Sequence, residues 1–177
     1  MLSNAAIAHT VQVPRIDEDA IKSALLAEGA PPRDVADALA EMKARRISDK
    51  TPGAFVLGCD QVLDFRGALL SKPTSPDPAL EQFQAMRGQR HMLLSAAVIC
   101  ENSQPIWRHV GQVRLTMRDV SDAYLQDYVT RNWDSIRHAV GAYKLEEEGV
   151  RLFTNIDGDY FNVLGMPLLE LINFLAL

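Results

Sequence analysis

Cysteine is scarce in this chain. Among its 177 residues are only Cys59 and Cys100, far apart and neither in a CxxC pair, which excludes a disulfide framework or a structural zinc knot and suits a reducing cytoplasm. A basic excess is also lacking. Eighteen Lys and Arg stand against 23 Asp and Glu for a formal charge of −5, the wrong sign for a surface that grips nucleic acid. Long apolar runs are absent too. Leu93–Cys100 and Gly165–Leu177 fall short of the roughly 18 to 20 residues that cross a bilayer, and the opening residues carry no basic flank of a secretory signal, so no membrane contact is expected. Neither GxxxxGK[ST] nor GxGxxG occurs, and His9, His91, His109 and His138 show no metal-ligand spacing.

What is present suits one globular domain over 1–177, with 47% apolar and 23% charged residues. After Pro31-Pro32, Val35, Ala38, Leu39, Met42 and Ile47 recur at helical spacing, which predicts a helix over 33–47. A second helix is expected over 77–87, with Asp77 as cap and Gly88 as stop. His91–Cys100 and Ile106–Met117 read as a hairpin, Ser121 opens a further helix, and Val150–Ile156 reads as a strand turning at Asp157-Gly158. Pro167 starts a closing helix whose stripe is Leu168, Leu171, Ile172 and Leu175. Helices and strands interleave, so the fold class is α/β.

Within the strand pattern Ala54–Leu63, the polar pair Asp60-Gln61 is anomalous, because a carboxylate in a buried strand must be paired, metal-bound or open to a cleft. Asp60 therefore reads either as a local cap or as a general base or metal ligand. Lys72, held extended by Pro73, and Lys43, beside Arg45 and Arg46, read either as solvated charges or as cations aimed at an anion. Asp17-Glu18-Asp19 offers oxygen ligands for magnesium or manganese, or equally an acidic start for a helix that continues through Ala20, Ile21 and Ala24–Leu26. Cys59 reads as a small buried residue or a nucleophile. Carboxylates at 17, 18 and 60 with lysines at 43 and 72 form the set that phosphoryl chemistry needs.

In order along the chain stand Gly58-Cys59-Asp60-Gln61-Val62, Leu70-Ser71-Lys72-Pro73, Arg87-Gly88-Gln89-Arg90-His91, Gly141-Ala142-Tyr143 and Ile156-Asp157-Gly158-Asp159-Tyr160-Phe161-Asn162-Val163-Leu164-Gly165-Met166-Pro167. Together they resemble the motifs of the Maf family, named for septum-formation inhibition and including nucleoside triphosphate pyrophosphatases. The resemblance implies a mixed sheet flanked by helices, with two lobes around a cleft. It implies metal-dependent cleavage of a nucleoside triphosphate between its α and β phosphates, with magnesium or manganese as cofactor and a homodimer as assembly. In this likeness Asp60 is the proton acceptor, Lys43 and Lys72 contact phosphate, and Asp17 with Glu18 lie on the metal side. Asp60-Gln61 and Glu146 resemble the members acting on 7-methyl-GTP, whereas pyrimidine-directed members carry Asp-Thr and a Gln. Glu146-Glu147-Glu148 departs from the usual Glu-Gly and leaves the choice of glutamate open. Members of the family open on a strand and a Ser-x-Ser-x-x-Arg loop that holds phosphate, and nothing of that kind precedes Asp17, so the likeness implies an N-terminally shortened domain. That departure keeps a second reading alongside the enzyme, a catalytically impaired binding or regulatory protein connected with cell division.

Overall fold

The apolar run Leu93–Cys100 lies at the centre of a five-stranded sheet in the computed structural model, which describes residues 1–176. The strands are β1 (Val56–Phe65), β2 (Ala68–Leu70), β3 (Arg90–Glu101), β4 (Gln104–Met117) and β5 (Phe153–Asp157), in the order β2-β1-β3-β4-β5. β3 is buried on both faces from Leu93 to Cys100, which is why its sequence shows no alternation.

Every strand pairing among the described residues is antiparallel, not mixed as expected. The connections explain the difference. β3 and β4 are joined by Asn102-Ser103, both with positive φ, the backbone of a tight hairpin turn, and β1 and β2 by Arg66-Gly67 in the same region. Such turns reverse the chain, whereas a parallel neighbour needs a long crossover. Asp64 reinforces the β1–β2 turn by accepting a hydrogen bond from the Gly67 N–H at 2.7 Å.

Helices cover both faces. They are α1 (Glu18–Ala27), α2 (Pro32–Ser48), α3 (Pro76–Met86), α4 (Asp122–Ile136), α5 (Tyr160–Val163) and α6 (Leu168–Leu175). α2 packs Ala36, Ala40 and Ala44 on Val62, Leu94, Ala96 and Val98. The stripe differs from the expected one, for Met42 is exposed and alanines are buried. Gly58 sets that choice: a Cβ there would overlap the Ala40 carbonyl oxygen and lie 2.6 Å from the Ala44 nitrogen, so helix and strand approach more closely than larger side chains allow. On the other face α3 and α4 contribute Phe83, Met86, Leu125, Tyr128 and Val129 to a larger core with Leu63, Leu93 and Leu115. α6 seats Leu168 and Leu171 near Ile99 in a smaller cluster, while Leu177 lies outside the described residues.

Helix starts follow local chemistry. Ser121 caps α4 by accepting from the Tyr124 N–H at 3.2 Å. Asp77 does not cap α3. Ser75 holds the cap position and Pro76 the first helical one, which leaves Asp77 in the first turn.

Candidate active site

Adjacent residues of a strand point to opposite faces, yet Asp60 and Gln61 line one cleft. The sheet margin resolves the paradox. β2 pairs only with Leu63–Phe65, so Val56–Val62 has β3 on one side and, among the described residues, no strand on the other. The cleft, about 340 Å³ in volume, runs along that margin, where side chains from both faces reach it. Besides β1 its walls come from Lys43 of α2, Lys72, the segment from His138 to Glu146, and Val163–Gly165.

The small residues of α2 bring its backbone close enough for Lys43 to lean over β1. Its Nζ donates to Asp60 Oδ1 at 2.6 Å and lies 3.1 Å from Glu18 Oε1. The pair is sheltered, with side chains 18% and 10% exposed for Lys43 and Asp60. Burial pushes the Asp60 carboxyl above its ordinary value. The hydrogen bond and charge of Lys43, and the charge of Lys72, pull it back without cancelling the rise, and Glu18 adds to it. For Lys43, burial opposes the charge, but Asp60 and Glu18 outweigh burial and hold the ammonium above the usual lysine value.

Gln61 is fixed from behind. Its Nε2 donates to Ser95 Oγ at 2.9 Å and to the carbonyls of Asn162 at 2.9 Å and Val163 at 3.0 Å, so only the amide oxygen is left for a ligand. Asp159 supports this by capping α5 through the Asn162 N–H at 3.1 Å. Sequence reasoning gave these residues no role. The signal was present in the motif order, but only folding shows that α5 backs onto Gln61.

The early acids separate. Asp17 caps α1, accepting from the Ala20 N–H at 3.0 Å, and only Glu18 reaches Lys43. Among the described residues no cluster of three or more His, Cys, Asp or Glu could hold a metal by itself. Glu18 and Asp60, gathered on one ammonium, still fit a magnesium-type ion, which takes one or two carboxylates and completes its shell with waters and substrate phosphates. Cys59 is no nucleophile. Burial pushes its thiol up to about 12, so it stays protonated at neutral pH.

The three glutamates left open by the sequence differ in their partners. Glu147 is engaged by Ser135 and Lys144, and Glu148 by Arg131 and Asn132. Glu146 lines the cleft and, among the described residues, has neither hydrogen-bond nor ion-pair partner. Lys144, His138 and Tyr143 also line the cleft and were not foreseen. Tyr143 is set by a 2.8 Å hydrogen bond between its hydroxyl and His91 Nε2. No helix among the described residues is long and apolar enough to cross a membrane.

Comparison with known proteins shows the family. The family model described as Maf-like protein matches residues 1–177. A nucleoside triphosphate pyrophosphatase of Ruegeria pomeroyi is 76% identical over 177 residues, which are 100% of this chain and 89% of the relative. The protein of that name from Roseobacter denitrificans is 75% identical with the same coverage. A 7-methyl-GTP pyrophosphatase of Brucella abortus is 42% identical over 172 residues, covering 97% of this chain and 86% of that protein.

Proposed function

Because the chain belongs to the Maf family, we propose that it is a nucleoside triphosphate pyrophosphatase whose cleft along β1 holds the substrate and whose preferred base is a guanine, above all 7-methylguanine. The observation that carries the reading is the meeting of Asp60, Lys43 and Lys72 in one cleft with the unpartnered carboxylate of Glu146.

The chemistry follows from the side chains. Asp60, a carboxylate made more basic by burial, orients a water and accepts its proton as the water oxygen bonds to the α-phosphorus. The bond from that phosphorus to the bridging oxygen breaks, and pyrophosphate leaves with the electron pair. Lys43 and Lys72 spread the charge that collects on the leaving group. Glu18 and Asp60 would hold magnesium or manganese, which would supply further positive charge to the phosphates.

At the base end, the Glu146 carboxylate can accept from the guanine ring N1–H and exocyclic amine together, a donor pair uracil lacks. Methylation at N7 makes the ring cationic, which adds a charge attraction to the same carboxylate. Gln61 offers its amide oxygen as a further acceptor.

The test is pyrophosphate release from 7-methyl-GTP, GTP and UTP with magnesium or manganese, for the wild type and Asp60→Asn. Hydrolysis that falls at least a hundredfold in the variant, at unchanged melting temperature, is expected of a general base. Equal turnover by the two proteins would refute the assignment of Asp60. A wild type that binds these nucleotides without cleaving them would favour the regulatory reading instead.

A further inference from the structure

Three adjacent carboxylates, Glu146, Glu147 and Glu148, follow one another where the chain leaves the cleft wall, and unrestrained they would compete for the same substrate group. The structure removes two of them. Glu147 accepts from Ser135 Oγ at 2.9 and 2.7 Å through its two oxygens and lies 3.3 Å from Lys144 Nζ. Lys144 Nζ itself donates to Ser135 Oγ at 2.7 Å. Glu148 accepts from Arg131 at 2.8 Å and from Asn132 Nδ2 at 2.8 Å.

All three anchors belong to α4. Arg131 and Ser135 are four residues apart and Asn132 and Ser135 three, so they share one helix face. The loop is therefore gripped on both sides of Glu146. Leu145 is buried, and Gly149 folds back on Lys144 so tightly that a Cβ would lie 2.7 Å from the Lys144 nitrogen. Hydrogen bonds from Ser135 and from Arg131 hold the Glu147 and Glu148 carboxyls below the usual range, in keeping with carboxylates already committed to partners.

We propose that Ser135 is a positioning residue for base selection: by tying Lys144 and Glu147 to α4 it leaves Glu146 as the one carboxylate of the triplet facing the nucleotide base. This rests on the reading of Glu146 given above. Without the Ser135 hydroxyl, Lys144 loses its nearest partner and Glu147 the hydroxyl proton that its two oxygens share. The freed ammonium then pairs with Glu146 or repels a cationic base, and the freed carboxylate presents a second, misplaced acceptor. Ser135 is not a lining residue of the cleft, so the hydrolytic step itself is untouched.

The experiment measures kcat and KM for 7-methyl-GTP and UTP in the wild type, Ser135→Ala, Ser135→Thr, Glu147→Ala and Glu146→Gln, with circular dichroism to verify folding. Ser135→Ala is expected to reduce the preference in kcat/KM about tenfold, the weight of one lost charge-assisted contact, mainly through KM for 7-methyl-GTP. Its kcat for UTP stays within about twofold. Ser135→Thr, which keeps the hydroxyl, restores the preference, and Glu147→Ala, an exposed change, lowers it in the same direction. Folded Ser135→Ala and Glu147→Ala proteins with the wild-type preference would overturn the proposal. Glu146→Gln separates the two levels: if it leaves the wild-type preference intact, or if the wild type has none, the base reading itself fails and takes the role of Ser135 with it.

Discussion

Lys43 and Asp60 form a sheltered ion pair at 2.6 Å, and each controls the protonation of the other. Lys43→Gln removes the hydrogen bond and the charge that restrain Asp60, so its carboxyl rises further under the same burial. The acidic limb of the pH profile of kcat/KM then moves to higher pH, and activity at neutral pH falls about a hundredfold as phosphate also loses a cation. Pyrophosphate release measured from pH 5 to 9 checks both. A lower rate with an unmoved limb would mean that Lys43 serves the phosphates alone.

Glu18 reaches the same ammonium from α1 but is half exposed. Glu18→Gln should therefore cost under about 1 kcal/mol of stability. If it helps hold the divalent ion, the magnesium concentration for half-maximal hydrolysis rises several-fold, and chelation by EDTA abolishes turnover of the wild type reversibly. A magnesium titration of both proteins decides.

Gly58 has no room for a methyl group against α2. Gly58→Ala should destabilise the fold by about 1 to 3 kcal/mol through overpacking, read as a lower urea midpoint. Activity falls with it, because the strand that shifts carries Asp60 two residues on.

His91 is buried and held neutral. Burial lowers its pKa from 6.5 to about 4, and among the described residues its Nδ1 has no hydrogen-bond partner to compensate a charge. The unfolded chain takes up a proton near pH 6.5 that the folded chain refuses until about pH 4. Its contribution to stability is therefore complete above pH 6.5 and lost as the pH falls toward 4, about 3 kcal/mol in all. Melting curves at pH 7, 6 and 5 should show this slope, and His91→Gln should flatten it.

The elements were legible where a period or a cap wrote them into the sequence. The helix expected over 33–47 is α2, the hairpin expected from His91 to Met117 is β3–β4, and the helix expected to open at Ser121 is α4, with Ser121 as its cap. The face of α2 was misjudged because hydrophobicity favours Met42, while contact with Gly58 selects alanine. The mixed sheet came from the family likeness alone, whereas the hairpin read over His91–Met117 already called for the antiparallel pairing that β3 and β4 make. At the site, Asp60 stood out as a charge in an apolar strand, and Lys43, Lys72, Gln61 and Glu146 line the cleft with it. Asp17 was read equally as a metal ligand or a helix start, and it caps α1. Ser135 carried no signal, since a hydroxyl on a helix is ordinary until its partner is known, whereas Asn162 stood in a quoted motif and acts there through its backbone carbonyl.

The strand margin that admits Asp60 and Gln61 to one cleft also divides labour along the chain. Asp60 and Lys43 ride on strand and helix, whose replacement would disturb the interior, whereas Glu146, the proposed contact with the base, hangs from a short segment between Tyr143 and Gly149. Substrate range can thus drift by exchanging a handful of exterior residues while the hydrolytic apparatus stays as it is.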